Sequence, residues 1–178
     1  MRATGIVRRI DDLGRVVIPK EIRRTMRIRE GEPLEIYTDK DGEVIFKKYS
    51  PLGEISTFSA KYAEALNKAA GIPVAVCDRD TVVAVAGVSG RELVEKPISD
   101  SISAMLEKRQ SYNSPEAGSG IELTENGAGK VSYLTPIISD GDVIGGIMLL
   151  ARDGYVPDDS ERKMINAGAL FLSKQLEL

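Results

Sequence analysis

Nine basic side chains fall within the first thirty residues, Arg2, Arg8, Arg9, Arg15, Lys20, Arg23, Arg24, Arg27 and Arg29, against four acids, Asp11, Asp12, Glu21 and Glu30. Guanidinium and ammonium groups at this density suit phosphate, because each contact releases counterions and adds affinity that does not depend on base sequence. The rest of the chain has the opposite sign. Residues 1–50 hold twelve basic and nine acidic side chains, a net of +3, and the other 128 residues hold twelve basic and eighteen acidic, a net of −6. A cationic head on an anionic body fits a nucleic-acid-binding module joined to a part with another task. On charge alone, a solvated basic face explains the same residues equally well.

Other chemistry is excluded by what is missing. The 178 residues contain no histidine and one cysteine, Cys77. A Ser-His-Asp or Cys-His arrangement cannot be built, an internal disulfide cannot form, and zinc would find one sulfur and carboxylates. The expectation is a protein that is not an enzyme and carries no metal and no cofactor. No apolar run approaches the roughly 20 residues of a spanning helix, and no signal-peptide core follows the basic N-terminus, so the expected place is the cytoplasm, with no membrane partner.

The elements that must position the arginines are short. Gly5 to Ile10 reads as a strand, Asp11-Asp12-Leu13-Gly14 as a turn, and Arg15 to Ile18 as a second strand. Pro19 presets a helical φ, so Lys20 to Arg27 is expected as a short helix with Ile22 and Met26 on one face. Leu34 to Thr38 and Glu43 to Tyr49 read as a hairpin around Asp39-Lys40-Asp41-Gly42. Some fifty residues in such pieces bury too little surface to stand alone, and neither metal nor disulfide is on hand. Oligomerisation is the remaining remedy, with Ile6, Val16, Ile18, Leu34, Ile36, Val44 and Phe46 as the shared core.

The run TGIVRRIDDLGRVVIPKEIRRTMRIREGEPLEIY, and LGRVVIPKEIRR above all, resembles the swapped-hairpin DNA-binding domain of the AbrB-type transition-state regulators. The resemblance covers residues 1–50. It implies two chains with interleaved hairpins and double-stranded DNA met by Arg8, Arg15, Arg23 and Arg24, with Arg9 an addition. For Arg2, Arg27 and Arg29 solvated charge remains an open reading. Antitoxins of the same fold continue into a short acidic tail that wraps a toxin, whereas here the continuation is long and patterned. An antitoxin-type interaction module is therefore the alternative.

After Ser50-Pro51 the pattern changes. Ile55, Phe58, Tyr62, Ala65, Leu66 and Ala69 recur at helical spacing up to Gly71, a helix stop. Val74 to Asp78 and Thr81 to Ala86 read as strands, Pro97 precedes a helix marked by Ile98, Ile102, Met105 and Leu106, and residues 110–130 form a polar stretch, a lid or a loop, with a weak strand signal near Ile121-Leu123. Val131 to Ile138 and Val143 to Leu150 pair across Ser139-Asp140-Gly141-Asp142. A last helix starts at Asp158, where Asp158 and Glu161 have capping-box spacing. This order describes an α+β domain, an antiparallel sheet flanked by helices. PVAVCDRDTVVAVAG with PIISDGDVIGGIMLLARD resembles GAF domains, which implies small-molecule sensing. Candidate pocket positions are those where Val74 to Asp78, Val131 to Ile138 and residues 110–130 converge.

Tempting motifs have simpler explanations. Asn126-Gly127-Ala128-Gly129-Lys130 lacks the first glycine and the Ser or Thr of a phosphate loop and reads as a surface turn; Gly141, Gly145 and Gly146 do not form GxGxxG. Cys77 in an apolar strand reads as an inert core thiol, with a redox role the minor reading. The last helix carries a broad stripe, Ile165, Ala169, Leu172 and Leu176 joined by Met164, Gly168 and Phe171, wide enough for its own sheet and a second copy. The expected organisation is an AbrB-type domain over 1–50, a connecting helix over 51–71 and a GAF-like domain over 72–178. A dimer through the first and a further interface through the GAF helices would give a homotetramer.

Overall fold

The computed structural model describes residues 4–51 and 56–176; Arg2, Ile55 and the end of the chain at Leu178 lie outside the described residues. It divides into two compact units, Met1–Tyr49 and Ser50–Leu178.

The first unit holds helix α1 (Lys20–Thr25) and an antiparallel hairpin of β1 (Leu34–Thr38) and β2 (Val44–Lys48). Its turn is organised by Asp39, whose Oδ1 accepts the Asp41 and Glu43 amides at 3.0 and 2.9 Å, with Gly42 at φ +81°. The expected strands at 5–10 and 15–18 are not strands here. Both segments lie outside any ladder, because no strand among the described residues pairs with them. Helix α1 also stops two residues short of Arg27. The Ile28 amide bonds back to the Arg23 carbonyl at 2.7 Å and the Arg27 amide to Arg24, with Arg27 left-handed at φ +52°, a closing geometry that usually takes glycine.

Among the described residues of this unit only Pro19 is buried. Ile36, Val44 and Phe46, which share one face of the hairpin, are 62%, 58% and 40% exposed, Ile6 and Val16 are exposed, and Ile18 and Leu34 are half-buried. Among the described residues, the seven expected to form a core do not form one.

The second unit is a six-stranded antiparallel sheet with helices on both faces. Strands β3 (Val74–Asp78), β4 (Val82–Ala86), β5 (Tyr112–Asn113), β7 (Lys130–Ser139) and β8 (Asp142–Leu150) run in the order β4-β3-β8-β7-β5, and β6 (Ile121–Glu122) pairs with β7. Alternation along each strand sorts side chains to two cores. Val74, Val76, Ile147 and Leu149 face α2 (Ser56–Ala70) and α4 (Asp159–Leu176), while Ala75, Cys77, Met148 and Leu150 face α3 (Asp100–Glu107) and the loops. A register slip between Val131 and Tyr133 turns β7 over, so Val131 belongs to the second core and Tyr133 to the first.

Local signals explain the joints. Asp140 and Gly141 take φ +48° and +84°, the two positive values a type I′ hairpin needs, so the turn is two residues rather than four. Ser99 caps α3 by accepting the Ile102 amide. At α4 the capping box is reciprocal: Asp158 Oδ1 accepts the Glu161 amide at 2.8 Å, and Glu161 Oε2 accepts the Asp158 amide at 3.2 Å. Gly168 lets α4 close on its neighbours, since a Cβ there would sit 2.5 Å from the Tyr62 ring and 2.7 Å from Ile147 Cδ1.

Helix α2 uses part of the face its apolar spacing suggested, with Leu66 buried and Tyr62 packed against the core. Ser59, Ala63 and Leu66 are buried against the sheet, while Phe58, Ala65 and Ala69 are exposed. The buried face is turned from the expected one toward Ser59 and Ala63, which leaves Phe58 outside.

Candidate nucleic-acid interface

The five arginines sit on three consecutive pieces of the first unit. Arg8 and Arg9 lie exposed on the extended run, where Arg8 Nη1 donates to the Val7 carbonyl at 3.3 Å. Arg15 closes the following loop. Arg23 and Arg24 occupy the last turn of α1, where cationic side chains suit the helix dipole. Arg24 is exposed; Arg23 is half-buried, and its Nε is buried without a hydrogen-bond partner among the described residues.

The loop is built around Asp11. Its Oδ1 accepts the Leu13 and Arg15 amides at 3.0 and 2.7 Å, its amide donates to the Arg15 carbonyl at 3.0 Å, and its carbonyl accepts the Gly14 amide at 3.0 Å. Gly14 turns the chain with φ +75°. Asp11 Oδ2 also accepts Arg15 Nε at 2.8 Å, yet the Arg15 side chain stays 68% exposed. The Arg15 backbone amide and then its guanidinium hold the Asp11 carboxyl below the usual carboxylate range.

Two basic residues are diverted from the surface. Glu32, with a side chain only 5% exposed, accepts the Arg29 amide at 2.7 Å and lies 3.9 Å from both the Arg29 guanidinium and Lys48 Nζ. This knot ties the segment after α1 to β2, and no sequence spacing announced a pairing between residues so far apart. Arg29 thus has a structural task.

In the second unit the expected meeting of β3 with β7 does not occur, because β8 lies between them and pairs with both. Ala75 is fully buried beside Cys77 in the second core. The polar stretch is folded on itself: Ser114 Oγ lies 3.0 and 2.9 Å from the Glu116 and Ser119 carbonyl oxygens, which compete for its one proton, and Thr124 Oγ1 donates to the Ala128 carbonyl and accepts its amide. The Gly127 amide bonds to the Thr124 carbonyl, so residues 124–128 form a turn. Burial pushes the Cys77 thiol up, and the Asp78 charge acts in the same direction, so it stays a protonated core thiol. Among the described residues no group of His, Cys, Asp and Glu is placed to hold a metal, and no helix is long and apolar enough to cross a membrane.

Residues 54–177 match the model of the stage V sporulation protein T C-terminal family, described as a transcription factor, and residues 7–53 match that of the antidote-toxin recognition MazE family of bacterial antitoxins. Stage V sporulation protein T of Bacillus subtilis (strain 168) is 47% identical over 99% of this chain and 99% of its own length. The transition state regulatory protein AbrB of the same organism is 52% identical over 35% of this chain and 71% of its own length. The GAF domain from an Acinetobacter phosphoenolpyruvate-protein phosphotransferase aligns with a TM-score of 0.53 at 10% identity, covering 73% of this chain and 84% of that one, a likeness of fold.

Proposed function

The chain belongs to the stage V sporulation protein T family of transcription factors, and we propose that it regulates sporulation genes by sequence-specific binding of double-stranded DNA through Arg8, Arg9, Arg15, Arg23 and Arg24. The observation that carries this reading is the pairing of exposed arginines with an uncovered apolar face on one small unit. A second copy that covers the face doubles the arginines in the same act. No reaction is catalysed in this reading, and the protein works in the cytoplasm, where its DNA is.

The second unit supplies a further interface between copies. Phe58 is exposed on α2, Leu170 is 63% exposed on α4, and Phe171 stacks on Tyr62 with ring centroids 5.2 Å apart. Apolar stripes left outside by two adjacent helices suit a helix bundle with another copy. Two different two-fold interfaces make a tetramer with two DNA-binding heads. The paired change Phe58→Glu with Leu170→Glu is expected to turn the tetramer into a dimer that still binds DNA. Sedimentation of the intact chain checks this, and an unchanged mass excludes the helices as the interface.

The GAF fold also suits a small-molecule effector of unassigned identity, acting on DNA affinity through α2. A ligand that binds two arrangements unequally shifts affinity by typically about 1–3 kcal/mol. Footprinting the intact protein on genomic fragments, with and without metabolite fractions, tests the whole reading. Protection of discrete segments, with at least one fraction altering affinity several-fold, is the expected result. Protection that no fraction changes leaves the second unit with assembly alone. The antitoxin-type reading draws on the match over residues 7–53. It requires a toxin to copurify, and it leaves the long second unit without a task.

A further inference from the structure

We propose that Asp11 is the specificity-determining partner of Arg15, a positioning residue that presents the guanidinium end-on to a base edge. The inference rests on the reading that Arg15 meets DNA. Its ground is that the two oxygens of one carboxylate do different jobs. Oδ1 shapes the loop by accepting the Leu13 and Arg15 amides, and Oδ2 takes the Nε–H of the Arg15 side chain at 2.8 Å. The backbone bonds Asp11 to Arg15 and Gly14 to Asp11 close the same loop. Side chain and main chain of Arg15 are therefore fixed to one atom group.

A guanidinium has five N–H donors arranged on three edges. With Nε occupied, the terminal Nη1 and Nη2 remain, on a side chain that is still largely exposed. Those two nitrogens match guanine O6 and N7 in the major groove, the commonest specific arginine contact. An untethered arginine presents any edge to any phosphate and loses rotamer freedom on docking; a tethered one has lost that freedom already. The carboxylate also opposes phosphate. Asp11 thus weakens binding that ignores sequence and strengthens binding that reads it, and these opposite signs make the proposal testable. Among the described residues, Arg15 is the one of the five arginines that a carboxylate holds.

The test uses the intact protein and two duplexes of equal length at matched salt, a footprinted operator and a random sequence. Asp11→Asn keeps an oxygen for the two amides and removes the charge. It is expected to lower the operator-to-random affinity ratio about tenfold, the scale of one bidentate base contact, with random-sequence affinity equal or higher. In an Arg15→Ala background the same change should leave the ratio alone. An unchanged ratio, or a fall of equal size in the Arg15→Ala background, overturns the proposal. Equal loss on both duplexes with a lowered unfolding temperature overturns it too, since Asp11 would then only hold the loop; Asp11→Ala, which removes both oxygens, calibrates that effect. If Arg15→Ala itself leaves operator affinity unchanged, the failure lies in the underlying assignment of Arg15 to DNA.

Discussion

Raising salt from 50 to 200 mM should weaken operator binding by the intact protein about 10³- to 10⁵-fold. Arg8, Arg15, Arg23 and Arg24 in two subunits, with Arg9 left aside as an addition, bring eight guanidinium charges within range of the phosphates whether they touch a phosphate or a base edge, and a slope of roughly −0.9 per charge gives about −7 in log affinity against log salt. The geometry sharpens the number. Arg23 is half-buried with its Nε turned inside, and if it supports α1 rather than DNA the slope falls to about −5. Arg29 does not enter the count, because its side chain is only 27% exposed and held beside the buried Glu32, whereas the Arg15 side chain stays 68% exposed beside Asp11. Arg15→Ala should make the slope shallower by about 2, one contact in each subunit, without unfolding the protein, since the loop it closes is exposed. Arg29→Ala should lower the unfolding temperature and leave the slope as it was. Titrations by fluorescence anisotropy at four salt concentrations separate these outcomes. A slope shallower than about −3, or an Arg15→Ala chain indistinguishable from the parent, removes the arginines from the interface.

What the sequence made legible follows from how local each cause is. The Asp158 and Glu161 spacing announced a capping box, and both reciprocal bonds are present, because the motif needs nothing beyond four residues. The short, largely apolar runs of β3, β7 and β8, bounded by turn residues, gave strands within a residue or so of their ends. Causes that lie far along the chain, or outside it, left weaker marks. Glu32 is sixteen residues from Lys48, and no periodicity links them. The pattern of α2 fixed its helical period but not the rotation of the helix on the sheet, which buries Leu66 as expected but Ser59 in place of Phe58. The turn at Arg27 was hidden because a left-handed arginine looks like any other. The segments at 5–10 and 15–18 have the β-branched residues of strands, yet a strand is defined by its neighbour, and none pairs with them among the described residues.

That missing neighbour sets the largest effect of a single substitution. Phe46→Asp should abolish DNA binding by the intact chain while the second unit keeps its fold. An isolated two-stranded hairpin is marginal in water, and β1 and β2 are such a hairpin, with Ile36 opposite Phe46 and Thr38 opposite Val44. Burying Ile36, Val44 and Phe46 against a second copy gains roughly 1.5–3 kcal/mol for each side chain, counted twice in a symmetric dimer. A carboxylate at position 46 forfeits that gain and adds the cost of desolvating a charge on each side of the two-fold. The measurement begins with residues 1–50 alone, which should have the mass of a dimer and a cooperative melt. The same fragment with Phe46→Asp should be monomeric and unfolded. Lys40→Asp, which places the same carboxylate in the hairpin turn, serves as the control and should stay dimeric. A folded monomer of either fragment would refute the interleaved arrangement, because the exposed face of the hairpin would then have proved stable in water by itself. If the parent fragment is dimeric and Phe46→Asp is too, the shared core lies elsewhere, and Ile6, Val16 and Ile18 on the extended runs become the residues to test next.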